Sequence, residues 1–273
     1  MTFRLHPITG EPILFAPERA SRPGAFGDES TDRCPFCPGH ESDTPATIVG
    51  IGDPWRVRVF ENKYPPVPGA EVIVESPEHD ATFDRIAHAE EAVRVYVDRV
   101  RVHEDAPYVA LFKNHGPRSS ASIPHIHSQV MPLPFVPPRV LRETQAFARA
   151  VTCPLCNAAG DVIDETPNFI WIAPEGSAMP YQQWLVPKRH VAGITAFNDE
   201  ELAEMATLLQ RSSKAMLTLG DSYNWHFMSV PHSYIELFPR LTTFGGFELG
   251  SGTFVQIVDP AVAAERLRAA ASA

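Results

Sequence analysis

NHGPRSSASIPHIHSQVMP, residues 114–132, is the part of the chain from which both the fold and a site can be predicted. Its second part alternates like a strand, and we expect this strand to direct His125 and His127 to opposite faces, one serving structure and the other facing a pocket. Gln129 should lie on the same side as His127. A neutral imidazole is a competent nucleophile at pH 7, and an uncharged amide beside it suits attack on phosphorus.

Outward from this segment, apolar residues at helical spacing predict an amphipathic helix over 86–103. A second periodic stretch, over 139–150, reads as a connecting helix and marks the boundary between an N-terminal part, 1–138, and a C-terminal part, 139–273. The strands predicted in the first part are two within 3–15, separated by a turn at Thr9-Gly10, and three at 55–60, 72–74 and 108–113.

The C-terminal part repeats the features of the N-terminal part in the same order. Each part begins with a Cys-x-x-C pair, which is followed by a strand that ends near a histidine. A long helix comes next, predicted over 199–219 in the second part, and a His-x₆-Pro segment follows it. In this register Tyr234 stands where His127 stands, and Glu236 stands where Gln129 stands. The second part therefore lacks the reactive histidine, and we expect one active site per chain unless two chains share residues.

Two clusters of cysteine and histidine are predicted to bind metal. A Cys₂His₂ set suits tetrahedral Zn²⁺, and four protein ligands leave no open position, which is typical of a structural metal. Buried cysteines and satisfied core histidines are the alternative, but two copies with the same downstream order favour the metal. The predicted ligands of the first cluster are Cys34, Cys37, His79 and His125, and those of the second are Cys153, Cys156, His190 and His232.

Length and charge restrict the function classes. The chain has 273 residues, enough for one large domain or two small ones, and a formal net charge of −10. Lys and Arg are scattered without a basic run, which disfavours nucleic acid and anionic membranes as partners and favours a small molecule. Neither an apolar leader nor a membrane-length apolar stretch is present, so we expect a cytoplasmic protein.

The motifs together resemble galactose-1-phosphate uridylyltransferase and its nucleotidyltransferase relatives, the two-repeat branch of the histidine-triad superfamily. The resemblance covers nearly the whole chain, and each motif is weak on its own. It is carried by Pro7-Ile-Thr-Gly-Glu, Ala16-Pro-Glu-Arg-Ala-Ser-Arg-Pro23, Cys34-Pro-Phe-Cys37, Ser76-Pro-Glu-His79, the 114–129 segment, Val186-Pro-Lys-Arg-His190 and Ala264-Glu-Arg-Leu-Arg.

This resemblance implies an α+β fold in which two histidine-triad-like half-units, each an antiparallel sheet with a helix, form one continuous core. It also implies that His127 becomes covalently nucleotidylated, that His125 binds zinc, and that Gln129 contacts the transferred phosphoryl group. Homodimers are common in the family, and a partner can complete the site. The remaining implied substrate-binding residues are Arg19 and Arg22 near the diphosphate, Asn62 at the nucleoside, Asn114 near the sugar phosphate, and Phe247 and Glu248 in a C-terminal sugar-binding loop.

Most of these substrate residues have a purely structural alternative. The arginines could lie in a solvated loop with surface ion pairs, and Asn114 could cap a strand-to-loop turn. The glycine-rich stretch around Phe247 could be an ordinary hairpin.

The implied reaction is a ping-pong transfer of AMP or UMP. His127 would attack the α-phosphorus of a nucleoside-diphosphate sugar and expel sugar 1-phosphate, and phosphate or a sugar 1-phosphate would then accept the nucleotidyl group. We expect a backbone carbonyl near His125 to fix the His127 tautomer, and Gln129, Ser120, Ser122 and loop N–H groups to meet the developing charge.

Departures from the uridylyltransferase pattern affect the choice of substrate. Ser128 stands where the galactose enzymes usually have Gly, and Thr242-Thr243 replaces a Lys-Phe pair, which resembles the branch that moves AMP between ADP-glucose and phosphate. Two other hypotheses remain open. One is a histidine-triad hydrolase that uses water as acceptor, and the other is a catalytically silent, zinc-stapled nucleotide-binding protein.

Overall fold

The protein is described here from a computed structural model that covers residues 2–17, 19 and 33–272. Twelve strands and five α-helices are present in these residues. In chain order they are β1 Thr2–Leu5, β2 Pro12–Phe15, β3 Thr47–Ile51, β4 Val57–Glu61, β5 Glu71–Val74, α1 Ala89–Val102, β6 Tyr108–His115, β7 His127–Leu133, α2 Pro138–Arg149, β8 Gly160–Glu165, β9 Phe169–Pro174, β10 Gln183–Pro187, α3 Asp199–Leu217, β11 Tyr223–Met228, β12 Tyr234–Pro239, α4 Gly246–Ser251 and α5 Pro260–Ser272.

Ten of the strands form one antiparallel sheet in the order β3-β4-β5-β7-β6-β11-β12-β10-β9-β8. The order is the same when read from either end of the sheet, with β3 corresponding to β8, β7 to β12 and β6 to β11. The two halves meet where β6 pairs with β11, from Tyr223 opposite His115 to Phe227 opposite Leu111. The predicted repeat is therefore present as two similar half-sheets joined into one sheet.

Helices α1, α3 and α5 cover one face of this sheet, whereas α2 packs on the other. α1 packs against α3, and α5 packs against α3 and β8. Buried apolar residues of these helices and of nine strands form one continuous cluster that crosses the β6–β11 junction, with Tyr96, Leu111 and Trp225 among its members. The predicted α+β class with a continuous core is confirmed.

Both long helices are shorter than their apolar periodicity predicted. α1 begins at Ala89, and Ile86 is buried in the preceding loop, so its apolar side chain serves the core without being helical. α3 begins at a capping box in which Asn198 and Glu201 bond each other's backbone N–H groups, and it ends at Leu217. Burial sets the periodic signal, whereas the capping box fixes the start of α3.

Alternation along β7 divides the site from the core. Ser128 and Val130 are fully buried beneath the helices, whereas His127, Gln129 and Met131 line a cavity on the opposite face. No helix in the described part of the chain is long and apolar enough to cross a membrane. The face opposite α1, α3 and α5 is therefore where the cavity side chains are available for chemistry.

A buried polar cluster lies beneath α1, directly behind β7. Lys113 and Glu75 are fully buried and form an ion pair, and Tyr96 and Ser128 each donate a hydrogen bond to Glu75. Lys113 Nζ also donates to the backbone oxygen of His127 over 3.1 Å. Burying two charges is unfavourable unless their hydrogen bonds are satisfied, and this cluster satisfies them from three elements.

Candidate active site and metal sites

The first Cys-His cluster brings together the four predicted ligands. Cys34 Sγ lies 3.6 Å from His125 Nδ1, and Cys37 Sγ lies 3.3 Å from His79 Nδ1. One candidate ligand atom from each of the four residues lies within 4.8 Å of the others. Such spacing leaves room for one tetrahedral ion at bond lengths near 2.0–2.3 Å.

The second cluster has the same composition in the C-terminal half. Cys153 Sγ lies 3.2 Å from His232 Nδ1, and Cys156 Sγ lies 3.9 Å from His190 Nδ1. Cys156 and His190 are exposed, whereas His232 is fully buried. Both clusters could therefore hold a metal ion, and the second is the more open of the two.

The buried histidine of each cluster is oriented as a metal ligand should be. Nε2 of His125 donates to the Ser76 carbonyl over 2.7 Å, and Nε2 of His232 donates to the Pro187 carbonyl over 2.8 Å. Each Nδ1 is thereby left unprotonated and faces two thiols. Burial and the neighbouring Cys34 raise the pKa of Cys37 to about 11, and a bound cation would offset this by stabilising the thiolates. The donor sets fit a divalent metal.

His125 and His127 have different surroundings, but not for the reason that strand alternation suggested. In a regular strand residues two apart share a face, so a strand through both histidines would not have separated them. β7 begins only at His127, and His125 lies before it, where its ring packs among the Cys34, Cys37 and His79 side chains. The expectation of opposite faces on one strand was wrong, and the irregular backbone before β7 separates the two rings.

His127 is held as a neutral imidazole with one nitrogen free to react. Its Nδ1 donates to the backbone oxygen of His125 over 2.8 Å, so the lone pair is on Nε2. Burial lowers the pKa of His127 to about 4. The ring also packs edge-on against Phe36, with the ring centroids 5.3 Å apart. The predicted carbonyl partner is thus the carbonyl of the metal-cluster residue His125.

His127 opens into a cavity of about 330 Å³, within the usual size range for a ligand pocket. Gln129 lies in the same cavity, and its Oε1 accepts a hydrogen bond from Asn62 Nδ2 over 3.4 Å, which leaves the Gln129 amide nitrogen available as a donor. Phe36 and Phe60 add apolar walls, which suit a planar base. The cavity combines a nucleophile, amide donors and aromatic surface.

Most other predicted substrate residues line this cavity as well. They are Arg19, whose guanidinium donates to the Tyr64 carbonyl, and Asn62, Asn114, Ser120 and Ser122. Arg22 lies outside the described residues. Phe247 and Glu248 do not line the cavity: Phe247 is 60% exposed on the short helix α4, and Glu248 accepts the backbone N–H of Gly245.

A tight connection shapes the serine-bearing side of the cavity. Gly116 has φ +81°, and a Cβ there would lie 2.1 Å from the backbone oxygen of Asp221, so only glycine fits. Ser120 adopts the left-handed conformation with φ 68°. This backbone brings Ser120 and Ser122 over the pocket beside Asn114.

Two cations of the cavity were missed by reasoning from the sequence. Lys63 and Arg33 both line it, and both contact Asp43, through its backbone oxygen at 3.2 Å and its carboxylate at 2.9 Å. Lys63 follows the predicted Asn62, which was the available signal. Arg33 directly precedes Cys34, and it was passed over beside this predicted metal ligand.

Ser128, which suggested the substrate branch, does not face the cavity. Its hydroxyl donates to Glu75 beneath α1. Ser128 therefore supports β7 from behind and does not contact a bound base.

The C-terminal half has a polar network, which lines a separate cavity, at the positions equivalent to His127 and Gln129. Arg139 donates to both Glu236 oxygens, at 2.7 and 2.9 Å, and Tyr234 donates to Glu143 over 3.0 Å. Burial would raise the pKa of Glu236, but hydrogen bonds from His226 and Arg139 hold it well below its usual range. Burial also raises the pKa of Tyr234, so this phenol is a poor nucleophile. These residues offer no counterpart to the neutral His127.

Known proteins share this architecture over the full chain, although no family model matches it. The chain is 29% identical to ADP-glucose phosphorylase of Arabidopsis thaliana over 97% of this chain and 92% of that protein. It is 26% identical to galactose-1-phosphate uridylyltransferase of Thermotoga maritima over 98% of each.

Solved structures agree with these matches. A crystal structure of the Arabidopsis ADP-glucose phosphorylase with bound ADP-glucose superposes with a TM-score of 0.80, 28% identity and 98% coverage of both chains. A uridylyltransferase structure superposes with a TM-score of 0.86 and 27% identity, covering 100% of this chain and 99% of that one.

Proposed function

This chain is a galactose-1-phosphate uridylyltransferase-like nucleotidyltransferase of the histidine-triad superfamily, and we propose that it transfers a nucleoside monophosphate group through a covalent intermediate on His127. One observation carries the proposal. His127 is neutral, its Nδ1 is committed to the His125 carbonyl, and the ring lines a cavity of ligand size. A residue held in this way is prepared for in-line attack without prior loss of a proton.

The reaction proceeds in two displacements. Nε2 of His127 attacks the α-phosphorus of a nucleoside-diphosphate sugar, the bond from this phosphorus to the bridging oxygen breaks, and sugar 1-phosphate leaves with the electron pair. A phosphate oxygen of the acceptor then attacks the same phosphorus, and His127 leaves as a neutral imidazole. The acceptor is inorganic phosphate or a sugar 1-phosphate. Both steps exchange one phosphorus bond for another, so neither needs a cofactor.

The cavity residues stabilise charge on the phosphoryl oxygens. Gln129, Ser120 and Ser122 donate hydrogen bonds, and Arg19 supplies positive charge at the diphosphate. Removing one such donor from a preorganised site typically slows the chemical step by about 10²–10³-fold. Asn62 positions Gln129 and contacts the nucleoside.

The bound metal is zinc at both clusters, and its role is structural. The first cluster, through His125, fixes the carbonyl that accepts the His127 proton. Cys34, Cys37, His79 and His125 would hold this zinc, which would stabilise the thiolates, while the His125 carbonyl orients the His127 ring.

ADP-glucose is the first donor to test, with phosphate as acceptor. The supporting features are the ADP-glucose phosphorylase match and the replacement of the Lys-Phe pair by Thr242-Thr243. UDP-glucose is the second donor, because the 26% match to a uridylyltransferase has nearly the same coverage. The hydrolase and the silent binding protein are not favoured, since both named relatives are transferases that act on phosphorylated substrates.

A partner copy completes the sugar side of the site. Phe247 and Glu248 lie on an exposed segment outside the His127 cavity, so their role in sugar binding requires a second chain. A homodimer in solution is the expected assembly, and analytical ultracentrifugation measures it.

Intact-protein mass spectrometry tests the central proposal. Wild type and His127→Ala are each incubated briefly with ADP-glucose or UDP-glucose. An adduct of AMP or UMP mass in wild type alone, with unchanged metal content and Tm in the variant, is expected. Loss of metal or folding in His127→Ala would mean that its role has been confused with that of His125, and no adduct with either donor would refute the covalent mechanism.

A further inference from the structure

Asn224 contacts the active-site residue Asn114 from the other half of the molecule. The two residues are directly opposite each other in the β6–β11 pairing. Asn224 Nδ2 donates to Asn114 Oδ1 over 2.7 Å and to the Ser119 backbone oxygen over 3.1 Å. Asn224 does not line the His127 cavity, whereas Asn114 does.

These two hydrogen bonds determine which way both amides point. A backbone oxygen can only accept, so the atom of Asn224 that faces Ser119 must be its NH₂ group. The same NH₂ group faces Asn114, so the nearest Asn114 atom must be its oxygen. Asn114 is therefore held with Oδ1 occupied by Asn224 and with its own NH₂ free to donate elsewhere.

We propose that Asn224 is a positioning residue that turns the Asn114 amide so that it donates to a phosphoryl oxygen in the His127 cavity. The inference rests on the proposed nucleotidyl transfer. With the opposite orientation Asn114 would present an oxygen to an anion, and the contact would be repulsive. The second half of the chain thus helps to build a site whose nucleophile is in the first half.

One feature of Asn224 itself supports a role beyond packing. Its Oδ1 is buried and has no hydrogen-bond partner among the described residues. An unsatisfied buried acceptor is unfavourable for folding, and an apolar residue of similar size would avoid it. What this amide provides is its NH₂ group, which bonds Asn114 and the Ser119 backbone oxygen.

A double-mutant cycle on the rate of nucleotidyl-His127 formation tests the inference. The rate is measured by rapid quench and intact mass at saturating ADP-glucose or UDP-glucose, whichever labels wild type. Asn114→Ala should slow labelling by about a hundredfold, as expected for loss of one donor to the transition state, and Asn224→Ala by about tenfold. If Asn224 acts through Asn114, adding Asn224→Ala to Asn114→Ala should change the rate by less than twofold.

Asn224→Asp separates orientation from packing because it preserves volume. A carboxylate can only accept, so it should draw the Asn114 NH₂ group toward itself and slow labelling at least as much as Asn224→Ala. Asn168→Ala is the matched control: it removes a half-buried amide that is bonded to Glu204 far from the cavity, and should lower Tm without slowing labelling.

The outcomes distinguish this inference from the function on which it rests. If wild type is labelled, and Asn224→Ala slows labelling equally in wild type and in Asn114→Ala, the positioning role is refuted and the function is left intact. A wild-type rate for Asn224→Asp or for Asn114→Ala would do the same. Failure of wild type to label with either donor would overturn the function and this inference together.

Discussion

The reactivity proposed for His127 depends on one hydrogen bond and on burial. A free histidine would be partly protonated near pH 6.5 and would divide its neutral form between two tautomers. In the folded chain burial lowers the pKa to about 4, and the His125 carbonyl selects the tautomer with an unprotonated Nε2. The nucleophile is therefore in a single chemical form at neutral pH.

His115 should make the fold sensitive to acid. Burial lowers its pKa to about 4, and Lys113 nearby also disfavours the proton. The unfolded chain binds a proton near pH 6.5 and the folded chain only near pH 4, so stability falls as the pH falls between these values. Acidification from pH 7 to 5 should cost wild type about 2 kcal/mol more than His115→Phe.

Phenylalanine is the suitable replacement because His115 stacks on Tyr223, with ring centroids 4.7 Å apart. Urea denaturation at the two pH values measures the difference. Parallel losses in wild type and His115→Phe would contradict the assignment, because other histidines would then account for the acid sensitivity.

Residue identity could be predicted from the sequence better than residue orientation. The eight candidate metal ligands were recognisable because their spacing is repeated along the chain, and the structure brings each set together. His127 was recognisable from the His-x-His-x-Gln motif. Asn224 was not recognisable, since its role depends on the β6–β11 register, which brings it opposite Asn114 although the two are 110 residues apart in sequence. The separation of His125 from His127 was expected, but its cause was not, because it depends on irregular backbone before β7.

At the scale of elements, each metal cluster joins a loop to a strand end, and the two clusters should be separable. Cys34→Ser should lower the metal content from two ions to one per chain and reduce stability by at least about 2 kcal/mol, because structural zinc contributes folding energy. Labelling of His127 should also slow, since His125 loses its anchor. Atomic emission spectroscopy and thermal unfolding measure the first two effects.

Cys153→Ser is the matched comparison in the second cluster. It should remove one metal ion too, but it should leave the labelling rate close to wild type because this cluster does not hold the His127 partner. Equal slowing by both variants would show that the first metal has no special connection to the nucleophile.

The buried Lys113–Glu75 pair connects β5, β6 and β7 behind the nucleophile. Lys113→Met would leave Glu75 buried without its cation, which typically costs about 3–5 kcal/mol, and would remove the donor to the His127 backbone. Urea denaturation should show this loss, and Glu75→Gln added to Lys113→Met should restore part of it.

Arg94→Ala is the control for this prediction. Arg94 and Glu90 form an exposed pair, 42% and 50% accessible, and such pairs contribute less than about 1 kcal/mol. A loss for Lys113→Met as small as that for Arg94→Ala would mean that the buried pair does not hold the strands together.

Several elements with one buried face were predicted from the sequence, although β9, β11 and α5, which also have buried residues, were not. The strands around 57–61, 71–74 and 108–115 and the helices α1 and α3 follow from apolar periodicity, because burial imposes that periodicity. The short helix α4 was not predicted. Its glycine-rich sequence has low helix propensity and no buried face, so neither signal was present.

At the scale of the molecule, the symmetric strand order shows how two similar halves can have different roles. Each half keeps a Cys-His cluster at the same place in the sheet. The first has His127 facing its cavity, while the second has the Arg139–Glu236 pair at the position equivalent to Gln129. The second half nevertheless supplies Asn224 to the first, so it is a structural part of the site.

The β6–β11 junction should make the two halves unable to fold separately. Residues 1–138 alone would expose β6, an eight-residue strand, as a sheet edge, and α1 would lose its packing against α3. Fragments 1–138 and 139–273 should therefore each lack a cooperative thermal transition by circular dichroism. When the two fragments are co-expressed, the complex should recover the cooperative thermal transition and His127 labelling, because the core that crosses the junction is then restored.

Asn224→Ala in the 139–273 fragment provides the internal control. The reconstituted complex with this variant should fold like the wild-type pair yet label about tenfold more slowly, as in the intact chain. Cooperative folding and full labelling by 1–138 alone would contradict both the continuous core and the role of Asn224, since that fragment contains neither α3 nor β11.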